Sequence, residues 1–346
     1  MPPDQPILTI AIPTYNRSRY LRELLSILTP QLRGKSDVEL LISDNCSTDD
    51  TSAVVDKLLA PDLNATCLRN DVNVGSDANF MQCFRRAQGK YVWVIGDDDV
   101  VLPGAVDKIL YLLRNQDYRL IYLCPYSFRE NYETEQQQDK FRRFAQSIPN
   151  GVPFIRKVGT SIAFMSSMIA NKDAYGNLDC PELSGFVGSN LMHLGWLLPL
   201  LGSGGVSLIV WDKVLAARDG NTGGWSICSV FAYNLRNVLA ETLRGKDDIA
   251  SQLLNNTLRI WFPLMIMQIR NSTAGSLQTE NFHELLAPLF GSNWRYWFYV
   301  FPVARSPRLM ASLWFRITQG MNRIARVARL LLSYPQWRAD LIWNAR

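Results

Sequence analysis

Residues 91–99 read YVWVIGDDD, an apolar and aromatic run that ends in a glycine and three consecutive aspartates. A short apolar run with β-branched and aromatic residues, closed by a glycine, is typical of a buried β-strand. The aspartates then follow at the carboxyl end of that strand. This stretch therefore predicts a buried strand that carries an acidic cluster at its end.

The same unit, a buried strand followed by a helix, repeats on both sides of this stretch. Strands are predicted at 7–13, 38–43, 66–69 and 120–124, and helices at 18–28, 51–59, 77–88 and 103–113. Strands that alternate with helices, at roughly 30 residues per unit, indicate a mostly parallel sheet with helices on both faces. The predicted fold class is α/β.

Polar side chains gather where the predicted strands end. Thr14 to Arg17 follow the first strand, Asp44 to Asp49 the second, and Asp97 to Asp99 the fourth. In open parallel sheets, ligands bind in the crevice beyond the carboxyl ends of the strands. These three loops are therefore predicted to form one site.

The aspartates after the fourth strand favour a cation. Asp97 and Asp99 alternate along the chain and are expected to point the same way, where two carboxylates repel unless a cation lies between them. Oxygen ligands suit Mg²⁺ or Mn²⁺, which also accept phosphate oxygens of a substrate. The alternative is a solvated acidic turn that caps the next helix.

Other acids and motifs narrow the chemistry. Asp44 is either a ligand for a nucleobase or ribose, or a turn-forming residue of its acidic run. No G-x-G-x-x-G, no P-loop and no G-x-S-x-G elbow occurs, and two histidines are too few for a histidine-rich metal site. Dinucleotide binding, P-loop chemistry and α/β-hydrolase chemistry are therefore disfavoured.

Composition predicts a folded intracellular protein. Of 346 residues, 47% are hydrophobic and 19% charged, which excludes disorder as the main description. The six cysteines form no C-x-x-C pair and are expected to be reduced, and no signal peptide is expected. The uncharged run at 194–211 approaches a membrane span in length, but Pro199 and the glycines at 202–205 predict a helix, a turn and a strand instead.

Four motifs, taken together, resemble a family 2 glycosyltransferase of the GT-A fold. They are Pro13–Arg17 (PTYNR), Ser43–Asp49 (SDNCSTD), Asn73–Gly75 with Asn79, and Gly96–Asp99 (GDDD). The last motif and the stretch GFVGSNLMHLGW at 185–196 are most similar to abequosyltransferase-like enzymes of O-antigen or surface-polysaccharide synthesis. The resemblance implies a nucleotide-sugar donor, a divalent metal, inversion at the anomeric carbon and a lipid-linked saccharide acceptor.

The resemblance also implies roles for single residues. It assigns donor binding to the strand-end residues, with Asp44 on the base, Asp97 facing the ribose or sugar and Asp99 holding the metal. Two further residues, Arg218 and Trp225, are added from the pattern of their own loop, so that the full predicted donor set is Pro13, Thr14, Tyr15, Arg17, Asp44, Asn73, Gly75, Asn79, Asp97, Asp98, Arg218 and Trp225. Arg218 and Trp225 belong to a glycine-rich stretch that is expected to close over the donor, with Arg218 on phosphate and Trp225 on a sugar face. The alternative is an ordinary surface turn.

The resemblance does not assign the residue that acts as general base. Many family members carry a Glu-Asp pair where this chain has Ser189-Asn190. An inverting transfer still needs a group that takes the proton of the acceptor hydroxyl. Glu182 and His193 are the candidates, against the alternatives of a surface acid and a packed histidine.

The carboxyl-terminal region is basic and aromatic. From Arg295 onward there are nine arginines and one acid. An apolar face with Met310, Leu313, Trp314, Ile317, Met321 and Ile324 is predicted on a helix at 309–333, opposite arginines. This pattern favours a helix in a membrane interface over one packed on the protein, and no nucleic-acid partner is expected.

The predicted organisation is a GT-A domain at 1–228 and a helical region at 229–346. The first 125 residues form the nucleotide-sugar-binding half and residues 126–228 the acceptor-side half. The expected protein is cytoplasmic, on the inner face of the plasma membrane. Two functions of different class are considered: a metal-dependent glycosyltransferase, and an idle GT-A domain that acts as a membrane-bound scaffold of polysaccharide assembly.

Overall fold

A computed structural model describes residues 5–136, 144–220, 226–271 and 280–332. The strands are β1 Leu8–Thr14, β2 Val38–Asp44, β3 Ala65–Arg69, β4 Tyr91–Val94, β5 Val100–Val101, β6 Leu120–Leu123, β7 Tyr126–Phe128, β8 Ala145–Pro149, β9 Met168–Asn171, β10 Val206–Val210 and β11 Leu215–Arg218. The predicted strands of the first 125 residues are all present, within one or two residues of the predicted bounds.

The helices fall between the strands of the first unit and continue beyond them. They are α1 Ser18–Leu32, α2 Thr51–Leu58, α3 Ser76–Arg86, α4 Ala105–Asn115, α5 Val152–Val158, α6 Lys172–Gly176, α7 Leu194–Gly202, α8 Leu235–Thr242, α9 Asp247–Asn256, α10 Phe262–Asn271, α11 Phe282–Phe290, α12 Phe301–Arg305 and α13 Arg308–Leu332. The uncharged run at 194–211 forms α7, a turn and β10, as predicted.

Eight strands form the main sheet, in the order β3-β2-β1-β4-β9-β6-β10-β8. The pairs among β3, β2, β1 and β4 are parallel, and so is the pair of β6 and β10. Strand β9 is antiparallel to both of its neighbours, and β8 is an antiparallel edge. The predicted α/β class with a mostly parallel sheet is confirmed, with β9 inserted between the two parallel groups.

Apolar side chains on both faces of this sheet explain why the strands are buried. Residues such as Ile10, Leu40 and Trp93 are fully buried and pack in one cluster with Leu21, Leu25 and other apolar side chains of α1 and α4. A parallel sheet needs helices on both faces, so its strands are apolar throughout. A second sheet has three strands in the order β5-β11-β7, and its strand β5 follows the acidic stretch directly in sequence. A small cluster of buried apolar side chains packs on this sheet.

The chain divides into two compact units. One comprises Met1–Gly223 with Ser229–Leu253, and the other Gly224–Cys228 with Leu254–Arg346. The sequence-based boundary after residue 228 stays a prediction, but the segment 229–253 packs with the first unit. Trp225, the polar stretch at 272–279 and the last residues from 333 lie outside the described residues.

In the second unit, α13 presents an apolar face outward. Leu309, Met310, Leu313, Ile317, Met321 and Ile324 are between 45% and 86% exposed. Ala311 and Thr318, on the opposite side of the helix, are buried. An amphipathic helix ordinarily buries its apolar face, so this helix is inverted relative to the usual arrangement. Within the part of the chain that the structure describes, no helix combines the length and the apolar character needed to cross a bilayer.

Candidate functional site

The loops after β1, β2 and β4 meet because their strands are neighbours in parallel register. Thr14 is opposite Asp44 where β1 and β2 end, and the backbone N–H of Ile95 donates to the carbonyl of Ala11 just before the aspartates. The first two loops are also joined directly. The backbone N–H of Asn16 donates to Ser47 Oγ at 2.9 Å, and Asn16 Oδ1 accepts from the N–H of Thr48 at 2.7 Å. The three predicted clusters therefore form one edge.

Asp97 is held by the first loop. Its Oδ2 accepts from the Thr14 hydroxyl at 2.7 Å, and its Oδ1 accepts from Arg17 Nη1 at 3.1 Å. The same Arg17 nitrogen lies 3.4 Å from Asp98 Oδ2, so one guanidinium bridges two of the acids. Burial raises the pKa of Asp97 to about 6, although Arg17 and the Thr14 hydroxyl oppose the shift.

Asp99 is held by residues from the second half of the first unit. Its Oδ1 accepts from the backbone N–H of Arg218 at 3.0 Å. Burial, followed by the negative charge of Asp98, raises the pKa of Asp99 to about 7, against hydrogen bonds from Ser166 and the Arg218 backbone. Ser166 Oγ also accepts from the N–H of Gly96 at 2.9 Å. A Cβ atom at Gly96 would lie 2.9 Å from Asp98 Oδ1, so a larger residue there would displace that carboxylate.

Asp97 and Asp99 fit the expectation of a cation. Both are buried carboxylates, and their raised pKa values show that this surrounding disfavours two negative charges. A divalent cation with oxygen ligands would relieve that cost. No group of three or more acidic, cysteine or histidine side chains suited to a metal occurs among the described residues.

Asp44 is buried and held by its own loop and by Arg69 at the end of β3. Its Oδ1 accepts from the N–H of Ser47 at 2.9 Å, and its Oδ2 from Arg69 Nη1 at 2.8 Å. Arg69 Nη2 also donates to the Ser47 carbonyl at 2.6 Å. The carboxylate thus shapes the loop after β2, and a role toward a nucleobase stays a prediction.

Asn45 organises the neighbouring loop and was not predicted. Its Nδ2 donates to Asn73 Oδ1 at 2.8 Å, and its Oδ1 accepts from the N–H of Val74 at 3.0 Å. Asn73 Oδ1 also accepts from the N–H of Gly75 at 2.9 Å, where the backbone has a φ of 87° that favours glycine. The only signal in the sequence was the position of Asn45 directly after Asp44.

Pro13, Tyr15 and Asn79 differ in their exposure. Pro13 is buried within β1, whereas Tyr15 is 42% exposed at the strand-end edge. Asn79 is buried and faces β2: its Oδ1 accepts from the Ser43 hydroxyl at 2.6 Å, and its Nδ2 donates to the Ser43 carbonyl at 3.0 Å. Both ends of its amide are therefore used in packing α3 on the sheet.

Arg218 is the last residue of β11, and its buried side chain links several segments of the first unit. Its side chain is 9% exposed. Nη2 donates to Glu23 Oε2 at 2.6 Å, Nε to the Asp98 carbonyl at 3.2 Å and Nη1 to the Arg129 carbonyl at 3.1 Å. The guanidinium also lies over the rings of Tyr20 and Phe128. These contacts use each of its nitrogen atoms once, and the predicted contact with phosphate stays a prediction.

Neither candidate for the general base stands in a favourable position. His193 is buried, its Nε2 lies 2.9 Å from the carbonyl of Ala163, and burial lowers its pKa to about 4. Glu182 is a 70% exposed side chain paired with Arg85. The histidine is thus a neutral packed residue, and the glutamate is a surface acid in an ion pair.

This fold and this edge define a GT-A-type domain, with a mostly parallel sheet and buried carboxylates where the central strands end. The model of glycosyl transferase family 2 matches residues 9–173, slightly less than half of the chain. The predicted resemblance and the predicted class of enzyme, a glycosyltransferase, are therefore confirmed.

Curated relatives agree with this assignment. Abequosyltransferase RfbV of Salmonella typhimurium is 28% identical over 228 residues, 62% of this chain and 67% of its own length. GalNAc(5)-diNAcBac-PP-undecaprenol beta-1,3-glucosyltransferase of Campylobacter jejuni is 30% identical over 106 residues, 30% of this chain and 34% of its own. Both are transferases, and neither favours the scaffold alternative.

A solved structure supports the fold over nearly the whole chain. S. aureus TarS 1–349 in complex with UDP-GlcNAc superposes with a TM-score of 0.60 at 17% identity and covers 92% of each chain. At this identity the likeness concerns the fold alone. It extends beyond the family match at residue 173, into the helical carboxyl-terminal region.

Proposed function

We propose that the chain is an inverting, metal-dependent glycosyltransferase that moves a sugar from a nucleoside-diphosphate donor to a lipid-linked saccharide. The observation that carries this proposal is the pair Asp97 and Asp99, buried at the edge where the loops of β1, β2 and β4 meet. Relatives named for abequosyl transfer and for an undecaprenol-linked saccharide support the acceptor class and a place in surface-polysaccharide synthesis.

In this proposal the donor lies across the strand-end edge. Tyr15, the exposed aromatic side chain of the first loop, is placed to stack on a base, and Asp44 with Asn73 shapes the loops beside it. Arg17 is 40% exposed and already lies beside two carboxylates, so it is placed to pair with a donor phosphate as well.

Asp97 and Asp99 would hold Mn²⁺ or Mg²⁺. Such a cation, when bound, neutralises charge that develops on the departing diphosphate. Thr14, Arg17, Ser166 and the backbone of Arg218 orient the two carboxylates through the contacts described above. Glu182 and His193 remain the sequence-based candidates for the base, and the residues of the 126–228 half are proposed to receive the acceptor.

Thermal stabilisation tests the donor site. Wild-type protein should be stabilised by one member of a panel of UDP-, GDP-, CDP- and dTDP-sugars only when MnCl₂ is present. At a ligand concentration 100 times Kd, the expected gain in unfolding free energy is about 2.7 kcal/mol. Asp99→Asn should lose the metal-dependent gain, whereas Asp107→Asn, a 68% exposed acid in the first turn of α4, should keep it. Equal stabilisation of the Asp99 variant would refute the metal role.

We also propose that the second unit contacts the inner face of the plasma membrane through α13. Its outward apolar face is flanked by Arg316 and Arg323, which are exposed. Burying a large apolar side chain contributes roughly 1.5–3 kcal/mol, and each arginine near an anionic surface about 1 kcal/mol. The exposed rings of Trp294 and Trp297, from the preceding segment, suit the same interface.

Vesicle sedimentation tests this contact. The protein should pellet with vesicles of phosphatidylglycerol and phosphatidylethanolamine, and Leu313→Glu should release it. Tyr111→Glu, which changes a 65% exposed ring on α4, is the matched control and should still pellet. A Leu313→Glu variant that pellets like the wild type would contradict the proposal.

A further inference from the structure

Asp77 is a buried acid that the donor site does not use. It lies in the first turn of α3, two residues after Gly75, and is 5% exposed. Its Oδ2 accepts from the N–H of Gly188 at 2.8 Å and from the N–H of Asn190 at 2.9 Å. A single oxygen thus joins α3 to a loop that is 111 residues away in sequence.

The loop at 188–190 has an unusual backbone conformation. Gly188 has a φ of 89° and Asn190 a φ of 56°, both in the left-handed region. A non-glycine residue held there, as Asn190 is, persists only when its surroundings determine it. Asp77 supplies that constraint on one side, and Asn234 Nδ2 donates to the Ser189 carbonyl at 2.8 Å on the other.

The other oxygen of Asp77 is buried without a hydrogen bond. Oδ1 has no partner in the described structure, and burial raises the pKa of this carboxyl against the N–H groups of Asn190, Gly188 and Ser189. A buried acceptor without a donor costs stability. The arrangement is therefore not one that stability alone would favour, which points to a functional reason for a carboxylate at this position.

The outer side of the same loop faces a cavity. The cavity has a volume of about 270 Å³ and lies between residues 185–189 and the segment that carries Asn234, Asn237 and Glu241. Amide and carboxylate groups beside apolar ones such as Phe186 match the mixed polar and apolar surface of a saccharide. The loop at 188–190 thus contributes residues to one wall of this cavity.

We propose that Asp77 is a positioning residue, which ties the loop at 188–190 to the donor-side helix α3 and so fixes the acceptor side for transfer. This inference rests on the proposed glycosyltransferase function. Asp77 follows directly on the loop that Asn45 and Asn73 hold, in the first turn of α3. Its hydrogen bonds therefore connect the loops of the donor edge to the loop at 188–190.

The test separates transfer from donor hydrolysis. The substrates are the nucleotide sugar selected in the thermal panel and a polyprenyl-diphosphate-linked N-acetylhexosamine. A misplacement of about 1 Å costs on the order of 100-fold in rate, so Asp77→Ala should lose about 100-fold in transfer kcat. Its rate of donor hydrolysis and its affinity for UDP with Mn²⁺ should stay within about threefold of the wild type, because the donor edge is intact.

Asp77→Asn is the second variant for this test. An asparagine oxygen can still accept from both N–H groups, so Asp77→Asn should retain transfer within about tenfold. Transfer and hydrolysis that fall together in Asp77→Ala, with a lower melting temperature, would reduce the residue to a structural role. An Asp77→Asn variant as inactive in transfer as Asp77→Ala would also overturn the proposal, since the carboxylate itself would then act as the base.

Hydrogen exchange keeps the inference separable from the proposed function. Even without any measured turnover, Asp77→Ala should speed amide exchange at Gly188 and Asn190, and Asp77→Asn should not. Unchanged exchange in Asp77→Ala would refute the constraint whatever the enzyme does. Lack of turnover in the wild type, with exchange as expected, would count against the proposed function alone.

Discussion

Replacing Arg218 shows whether its side chain stabilises the fold through buried contacts or binds a phosphate of the donor. Arg218→Ala removes three hydrogen bonds from a charged donor and two contacts with aromatic rings. Hydrogen bonds to charged groups contribute about 1.5–3 kcal/mol each and a cation–π contact about 0.5–2 kcal/mol. The Glu23 partner is 34% exposed, so its share is discounted for solvent screening. With the Glu23 bond left out, the lower ends of the ranges for the other two hydrogen bonds and the two ring contacts give an expected loss of unfolding free energy of at least about 4 kcal/mol.

Arg218→Lys provides the intermediate case. A lysine can keep the pairing with Glu23 but neither the fork of donors nor the planar stacking, so about 2 kcal/mol should be lost. Urea unfolding followed by circular dichroism measures both variants. Arg129→Ala, at a 77% exposed side chain paired with Asp219, is the control and should cost less than about 0.5 kcal/mol. An Arg218→Ala protein that is as stable as the wild type and has lost only its nucleotide affinity would refute the structural role. It would support the predicted contact with phosphate.

The acids and the asparagine of the site give two further predictions. Because the folded-state pKa values of Asp97 and Asp99 are raised to about 6 and about 7, the folded state binds more protons than the unfolded one between about pH 4 and 7. The melting temperature of the metal-free wild type should therefore fall, relative to that of Asp99→Asn, as the pH rises through this window. Over the same window the stabilisation of the wild type by MnCl₂ should grow. A stabilisation by MnCl₂ that does not change with pH would contradict the prediction that these two carboxylates bind the cation. Asn45→Ala should lower the unfolding free energy by about 2–3 kcal/mol, since it removes bonds to Asn73 and Val74, and urea denaturation should detect this. A loss no larger than that of an exposed asparagine would show that the loop does not depend on Asn45.

Local sequence patterns predict most of the first unit. The apolar runs at 7–13, 38–43 and 91–95 become β1, β2 and β4 because a strand buried on both faces needs apolar side chains at every position. The parallel order then brings the polar residues behind them to one edge. Strand β9 escapes prediction, since its four residues gain strand character only from pairing with β4 and β6.

The residues that were missed share a different property. Asn45 and Asp77 act through contacts with residues distant in sequence, and no local pattern indicates those contacts, although Asn45 lies within the motif at Ser43–Asp49. The contacts of Arg218 were not predicted from its glycine-rich sequence neighbourhood either, and its role toward phosphate stays a prediction. Its actual partners come from α1, the acidic stretch and the segment after β7, and only the tertiary fold brings these together.

The three consecutive aspartates show why the donor site is not a property of the first 125 residues alone. Asp97 depends on Thr14 and Arg17, which lie in that half. Asp99 depends on Ser166 and on the backbone of Arg218, which lie in the other half. A fragment that ends near residue 125 would keep the motifs of the sequence and lose the groups that orient Asp99. The second half would therefore do more than receive the acceptor as proposed, because its residues orient one of the two carboxylates on which the proposed donor chemistry depends.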